Sequence, residues 1–148
     1  MKSKLAAIVA AVLISVSASP AKAGYYETAT NLRYANEFSA WAYHFSLFHL
    51  HWADYYNYVD YGLIYNAWQN VVYARDNAWY AYWSAPIGSS AEYWSLEAYD
   101  QLVDLEYNMW IVYAYGGVYP SYTAAAITNA LYGQIYLSYA AQAAAGQY

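Results

Sequence analysis

The chain's three histidines, His44, His49 and His51, fall in one short stretch and are its most metal-like residues. Imidazoles on one helix share a metal when they are spaced three or four apart. No pair here has that spacing. His44 and His51 are seven apart, and His49 falls on another face. Asp54 follows His51 by three, which puts those two within reach of each other. With Trp52 beside them, His44, His49, His51, Trp52 and Asp54 make a candidate ligand or metal cluster. It would need help from a second helix or a second chain, because the Glu-x-x-His pattern of di-iron bundles is absent. The plainer alternative is two interface histidines and one hydrogen-bonded core histidine.

Carboxylates offer a second candidate. Glu97, Asp100, Asp104 and Glu106 crowd one segment. On a helical wheel they split to the two sides of an apolar stripe, as solvated shoulders do. General acid–base work needs a carboxyl held in a cleft with a raised pKa, and nothing in the spacing builds one. Nor is the spacing that of an EF-hand. Arg75 sits four residues before Trp79, the spacing of a cation–π contact on one helix face, with Asp76 as a competing partner. Gly-x-Ser-x-Gly and the dinucleotide glycine fingerprint are both missing. Lysine occurs only at positions 2, 4 and 22, so beyond them neither a P-loop nor a Schiff base can form. The expectation is a protein that is not an enzyme and carries no cofactor.

Contact chemistry is what remains. The 148 residues include 23 Tyr, 7 Trp and no Cys. Lys2 and Lys4, the apolar run Leu5–Ala18, Pro20 and the Ala21-Lys22-Ala23 motif read as a secretory signal cleaved before Gly24. Residues 1–23 are therefore expected to be removed, and residues 24–148 to form one Tyr/Trp-rich helical domain that is secreted, periplasmic or at the cell surface. Losing three of the five strong bases leaves two against ten carboxylates, a formal charge of −8. Nucleic acid is a poor partner for such a surface. No stretch after Ala23 reads as a transmembrane helix, so no membrane insertion is expected after cleavage. Without cysteine there is no disulfide staple, and stability must come from packing.

Few turn signals interrupt the chain. Gly62, Pro86–Ser90 and Gly116–Pro120 divide it into four segments, read as helices over about Thr28–Asp60, Leu63–Ser84, Ser90–Tyr115 and Ser121–Ala145. Short links make neighbours antiparallel, giving an all-α, antiparallel four-helix bundle or helical array with an unusually long, aromatic first helix. Spacings of three and four place Tyr34, Phe38, Trp41, Phe45, Phe48, Trp52, Tyr56 and Val59 on one stripe of the first helix. Comparable stripes are Tyr61, Tyr65, Trp68, Val72, Trp79 and Trp83; Leu96, Tyr99, Val103, Tyr107, Trp110 and Ala114; and Ala124, Thr128, Leu131, Ile135 and Tyr139. Ser89 with Glu92 forms a capping box. Ala126, Ala130, Gly133 and Ala140 make a small-residue face that permits close helix approach.

The first helix is apolar nearly all round. Its second face, Tyr43, Leu47, Leu50 and Tyr58, is the expected self-association face of a homo-oligomer or filament. The leading expectation is an exported structural protein that self-assembles through aromatic helix faces. The alternative is a monomeric helical module holding a small ligand (a flat apolar molecule, a glycan or a metal ion) in its aromatic interior.

Overall fold

A computed structural model describes residues 24–48, 60–115 and 120–146. Every element in them is a helix: α1 over residues 24–48, α2 Tyr61–Ser84, α3 Ser90–Ala114 and α4 Pro120–Ala145. The expected stretch of the first helix from 49 to 59 lies outside the described residues.

Local chemistry fixes the ends. Asp60 is the N-cap of α2: its Oδ1 accepts the Leu63 N–H at 3.0 Å, satisfying one of the donors a helix start leaves open. The sequence pattern closes the first helix at Asp60 and breaks the chain at Gly62. Instead Gly62 lies within the first turn of α2, because a capping carboxylate two residues earlier outweighs the glycine's weak helix propensity. Between α2 and α3, Gly88 takes φ +78°, open to it for want of a Cβ. Ser89 Oγ then accepts the Glu92 N–H at 3.1 Å. The Glu92 carboxylate accepts in return from the Gly88 N–H. The capping box forms as its sequence implies, with the return bond one residue earlier than the usual pattern.

Side-chain links show the arrangement. Thr28, early in α1, meets Ser84 at the end of α2 through their hydroxyls at 3.0 Å. A Cβ on Gly24 would come within 2.9 Å of the Ser84 carbonyl oxygen, so glycine is what lets the two helix ends approach so closely. Tyr61, at the start of α2, touches Tyr113 near the end of α3. Trp94, early in α3, touches Tyr136 and Tyr139 late in α4. Asn36 of α1 shares a groove with Leu131 and Tyr139 of α4. Sequential helices run antiparallel, and α1 closes against α4. Ser46 of α1 donates to Met109 Sδ of α3 at 3.3 Å across the bundle, and these two helices, each antiparallel to α2, run parallel to one another.

The core corrects the sequence reading. Periodicity makes the aromatic stripes the inward faces, yet Tyr34, Trp41, Tyr61, Tyr65, Trp79, Trp83, Tyr107, Trp110 and Tyr139 are exposed. What is buried is a second set with the same spacing. In α1 it is Thr28, Leu32, Ala35, Ser39, Ala42 and Ser46, and in α2 it is Ile64, Ala67, Val71, Ala74, Ala78 and Ala81. Ala91, Ser95, Ala98, Leu102, Leu105, Met109 and Val112 follow in α3. α4 supplies Thr123, Ala126, Ala130, Gly133, Leu137, Ala140 and Ala144. Steps of three and four alternate in all four helices, with Ile111 at the end of α3 as an extra buried residue beside the stripe, and this seven-residue repeat favours left-handed supercoiling.

Sterics explain the choice. Helices presenting tryptophan and tyrosine inward would be held far apart, with voids between the rings. Alanine, serine and glycine let the axes close, and alanine loses no side-chain entropy when buried. The small-residue face expected in α4 is part of this core: Ala126, Ala130 and Ala140 are fully buried, and a Cβ on Gly133 would touch Leu102 Cδ2 at 3.4 Å. The rings form a second layer. Phe38, Tyr43, Phe45, Trp68, Trp94, Tyr99, Tyr122 and Tyr136 lie half-buried over the small-residue core.

Candidate functional site

The distinctive surface is the aromatic exterior. Because an α-helix brings residues three and four apart onto one face, each ring stripe flanks or opposes the small-residue stripe of its own helix.

Between α2 and α3 the rings interlock. Trp79 meets Tyr99 at 4.8 Å and Trp83 edge-on at 5.5 Å. Tyr113 touches Tyr61 and Tyr65 at the opposite end. In the middle Trp68, Val103, Glu106, Tyr107 and Trp110 line an open groove of about 300 Å³. The Trp68 Nε1 proton is buried without a hydrogen-bond partner, although a buried indole N–H usually finds one. Between α3 and α4, Trp94 stacks against Tyr136 at 5.6 Å. Further along the same helix pair a side-chain amide chain runs from Asn108 to Asn129 Oδ1 at 2.9 Å and from Asn129 to Gln101 Oε1 at 3.1 Å.

Arg75 takes a different role from the expected one. Its guanidinium donates to Asp76 Oδ1 from Nε and Nη2, at 3.1 and 2.7 Å, and to Glu106 of α3. No cation–π contact forms between Arg75 and Trp79; a carboxylate across the helix pair attracts the guanidinium more strongly than the neighbouring ring. Burial works to lower the Arg75 pKa, but the Asp76 hydrogen bond and the Glu106 and Asp76 charges outweigh it and hold the value above the ordinary one. The guanidinium that does cover a ring is that of Arg33, 5.0 Å from the centroid of Tyr34.

Of the expected self-association residues, Tyr43 and Leu47 are described. Tyr43 is half-buried over this chain's own core, its ring 5.9 Å from that of His44. Leu47 is exposed. Leu50 and Tyr58 lie outside the described residues, as do His49, His51, Trp52 and Asp54. His44 is exposed and lines a shallow groove with Glu37, Ala40 and Trp41. Among the described residues no group of three His, Cys, Asp or Glu side chains is placed to hold a metal.

The outermost line of α1 is one that the sequence reading missed. Tyr34, Glu37, Trp41, His44 and Phe48 are all exposed and recur at three and four, diametrically opposite the buried stripe. The signal was present. A helix with two stripes of one period must turn one of them outward, and the stripe of larger side chains is the one that cannot converge with three neighbours.

The chain matches no protein-family model, no curated protein and no solved structure. No helix among the described residues is long and apolar enough to cross a membrane.

Proposed function

We propose that this is a non-enzymatic, exported structural protein that self-assembles through its aromatic outer helix faces. The observation that carries the reading is the inversion of side-chain size. The small residues fill the core and the largest side chains stand outside it, with Trp83 67 %, Tyr80 60 % and Trp41 53 % exposed. Rings left in water forgo roughly 25 cal/mol for each Å² of apolar surface not buried. Extensive exposed apolar surface marks association sites, and tyrosine and tryptophan dominate interface hot spots. A chain without cysteine, and with lysine only at positions 2, 4 and 22, has few other handles for joining copies. The interior gives no support to an enclosed ligand site, because alanine and leucine fill it.

The test is the double variant Trp41→Glu with Leu47→Glu. Both side chains are exposed, so helicity by circular dichroism should match the parent while the assembled fraction falls. Retained assembly with intact helicity would exclude the outer face of α1.

One observation favours a second reading, a small-ligand module. The α2/α3 groove holds an unpartnered Trp68 N–H beside the rings of Tyr107 and Trp110 and a carboxylate. Its volume is at the small end of the range for ligand sites. A chromophore or glycan that leaves the native protein only on unfolding would favour it.

A further inference from the structure

We infer that the outer face of α1 docks on a second copy of itself, antiparallel, about a two-fold axis at Trp41, with Glu37 of each copy opposite His44 of the other. The inference rests on the self-assembly reading and specifies its first contact.

A two-fold interface is self-complementary: if residue i meets residue j, then j meets i. Glu37 lies four residues before Trp41 and His44 three after it, on the same exposed line. Rotating one α1 by half a turn about Trp41 brings each carboxylate opposite an imidazole, twice over. The shift between them is about one helical rise of 1.5 Å, well within side-chain reach. The two Trp41 rings meet at the axis, and Tyr34 extends the apolar contact along the helix. Glu37, Ala40, Trp41 and His44 line one groove on this face, so the carboxylate, the indole and the imidazole of each copy are presented together.

Charge selects this partner and this face. The chain is acidic, with a formal charge of −5, or −8 without residues 1–23, so most pairings of two copies oppose carboxylates. Arg75 is engaged with Asp76 and Glu106 of its own chain. The exposed bases among the described residues are Arg33 and His44, and both sit on α1. This is the described face where an acidic chain can meet its own copy with opposite groups aligned. A neutral imidazole donates an N–H to a carboxylate as a protonated one does.

The test uses a charge exchange. Glu37→Lys sets an ammonium opposite His44 of the other copy, and His44→Glu sets a carboxylate opposite Glu37. Each variant alone should associate at least roughly tenfold more weakly than the parent. Mixed in equal amounts they should recover. The introduced ammonium of one variant then faces the introduced carboxylate of the other, while the remaining native His44 faces the remaining native Glu37. Association is read by light scattering coupled to size exclusion, and helicity by circular dichroism. The milder pair Glu37→Gln and His44→Gln serves if a charge variant loses helicity, and each should weaken association. Parent-like association of the single variants would overturn this contact and leave self-assembly standing. A mixture no stronger than its components would also overturn it. A monomeric parent would sink both the contact and the reading it rests on.

Discussion

At the scale of single residues, this protein buries small and aliphatic side chains and leaves most of the described indoles and phenols at its surface. Ala78 is fully buried, and Trp83 is 67 % exposed. Enlarging Ala78 should therefore cost more than removing the indole of Trp83. Ala78→Leu is expected to destabilise by about 1–3 kcal/mol through overpacking. Trp83→Ala should cost about 0.5–1 kcal/mol, from its edge contacts with Trp79 and Tyr82. Urea unfolding of the two variants checks the order. Ser95 makes the same point with the opposite sign. Its hydroxyl is buried and lacks a hydrogen-bond partner, so Ser95→Ala removes an unmet desolvation cost at almost constant volume. It should raise stability by about 1 kcal/mol, read as a higher urea midpoint at unchanged slope.

At the scale of elements, the start of α3 was legible, and the start of α2 and the inward faces were not. Ser89 with Glu92 announces a cap because a hydroxyl and a carboxylate at that spacing have few other local uses. The structure places both. Ser89→Ala should lower stability by about 1 kcal/mol, measured by thermal unfolding. Asp60 misleads because a carboxylate between two helical patterns can end one helix or begin the next, and only its bond to Leu63 decides. The stripes failed for a more general reason. Periodicity gives a period and not a phase. Ala67, Ala74 and Ala81 repeat as regularly as Tyr61, Tyr65 and Trp68, and a ranking by apolar area favours the larger set. The phase becomes readable only when all four helices are set against one another, since a shared axis has room for methyl groups and none for a ring from every helix. Arg75 shows the same limit: Asp76 is a neighbour in sequence, whereas Glu106 comes close only through the antiparallel packing of α2 on α3.

At the scale of the whole molecule, an aromatic skin on an acidic bundle sets attraction against repulsion. Ring burial between copies is local and insensitive to salt, while net charge repels across the Debye length, about 10 Å at 0.1 M salt. Raising ionic strength should therefore promote association of residues 24–148 up to the point where the Glu37–His44 pairs are themselves screened. Scattering across a salt series reads this directly, and a monotonic fall with salt would mean that charge attraction, not ring contact, holds the copies together. The sequence declared the ingredients of this balance through its tyrosine count, its carboxylates and its scarcity of lysine. It did not declare that the rings point outward, which comes from how four helices share one core.

The most direct measurement is sedimentation velocity on Gly24–Tyr148 over a wide concentration range, with helicity recorded on the same samples. Self-assembly through outer aromatic faces predicts a weight-average mass that rises with concentration while helicity stays constant. A single species at the monomer mass across the whole range would contradict it, and the exposed rings would then have to serve something other than a second copy of this chain.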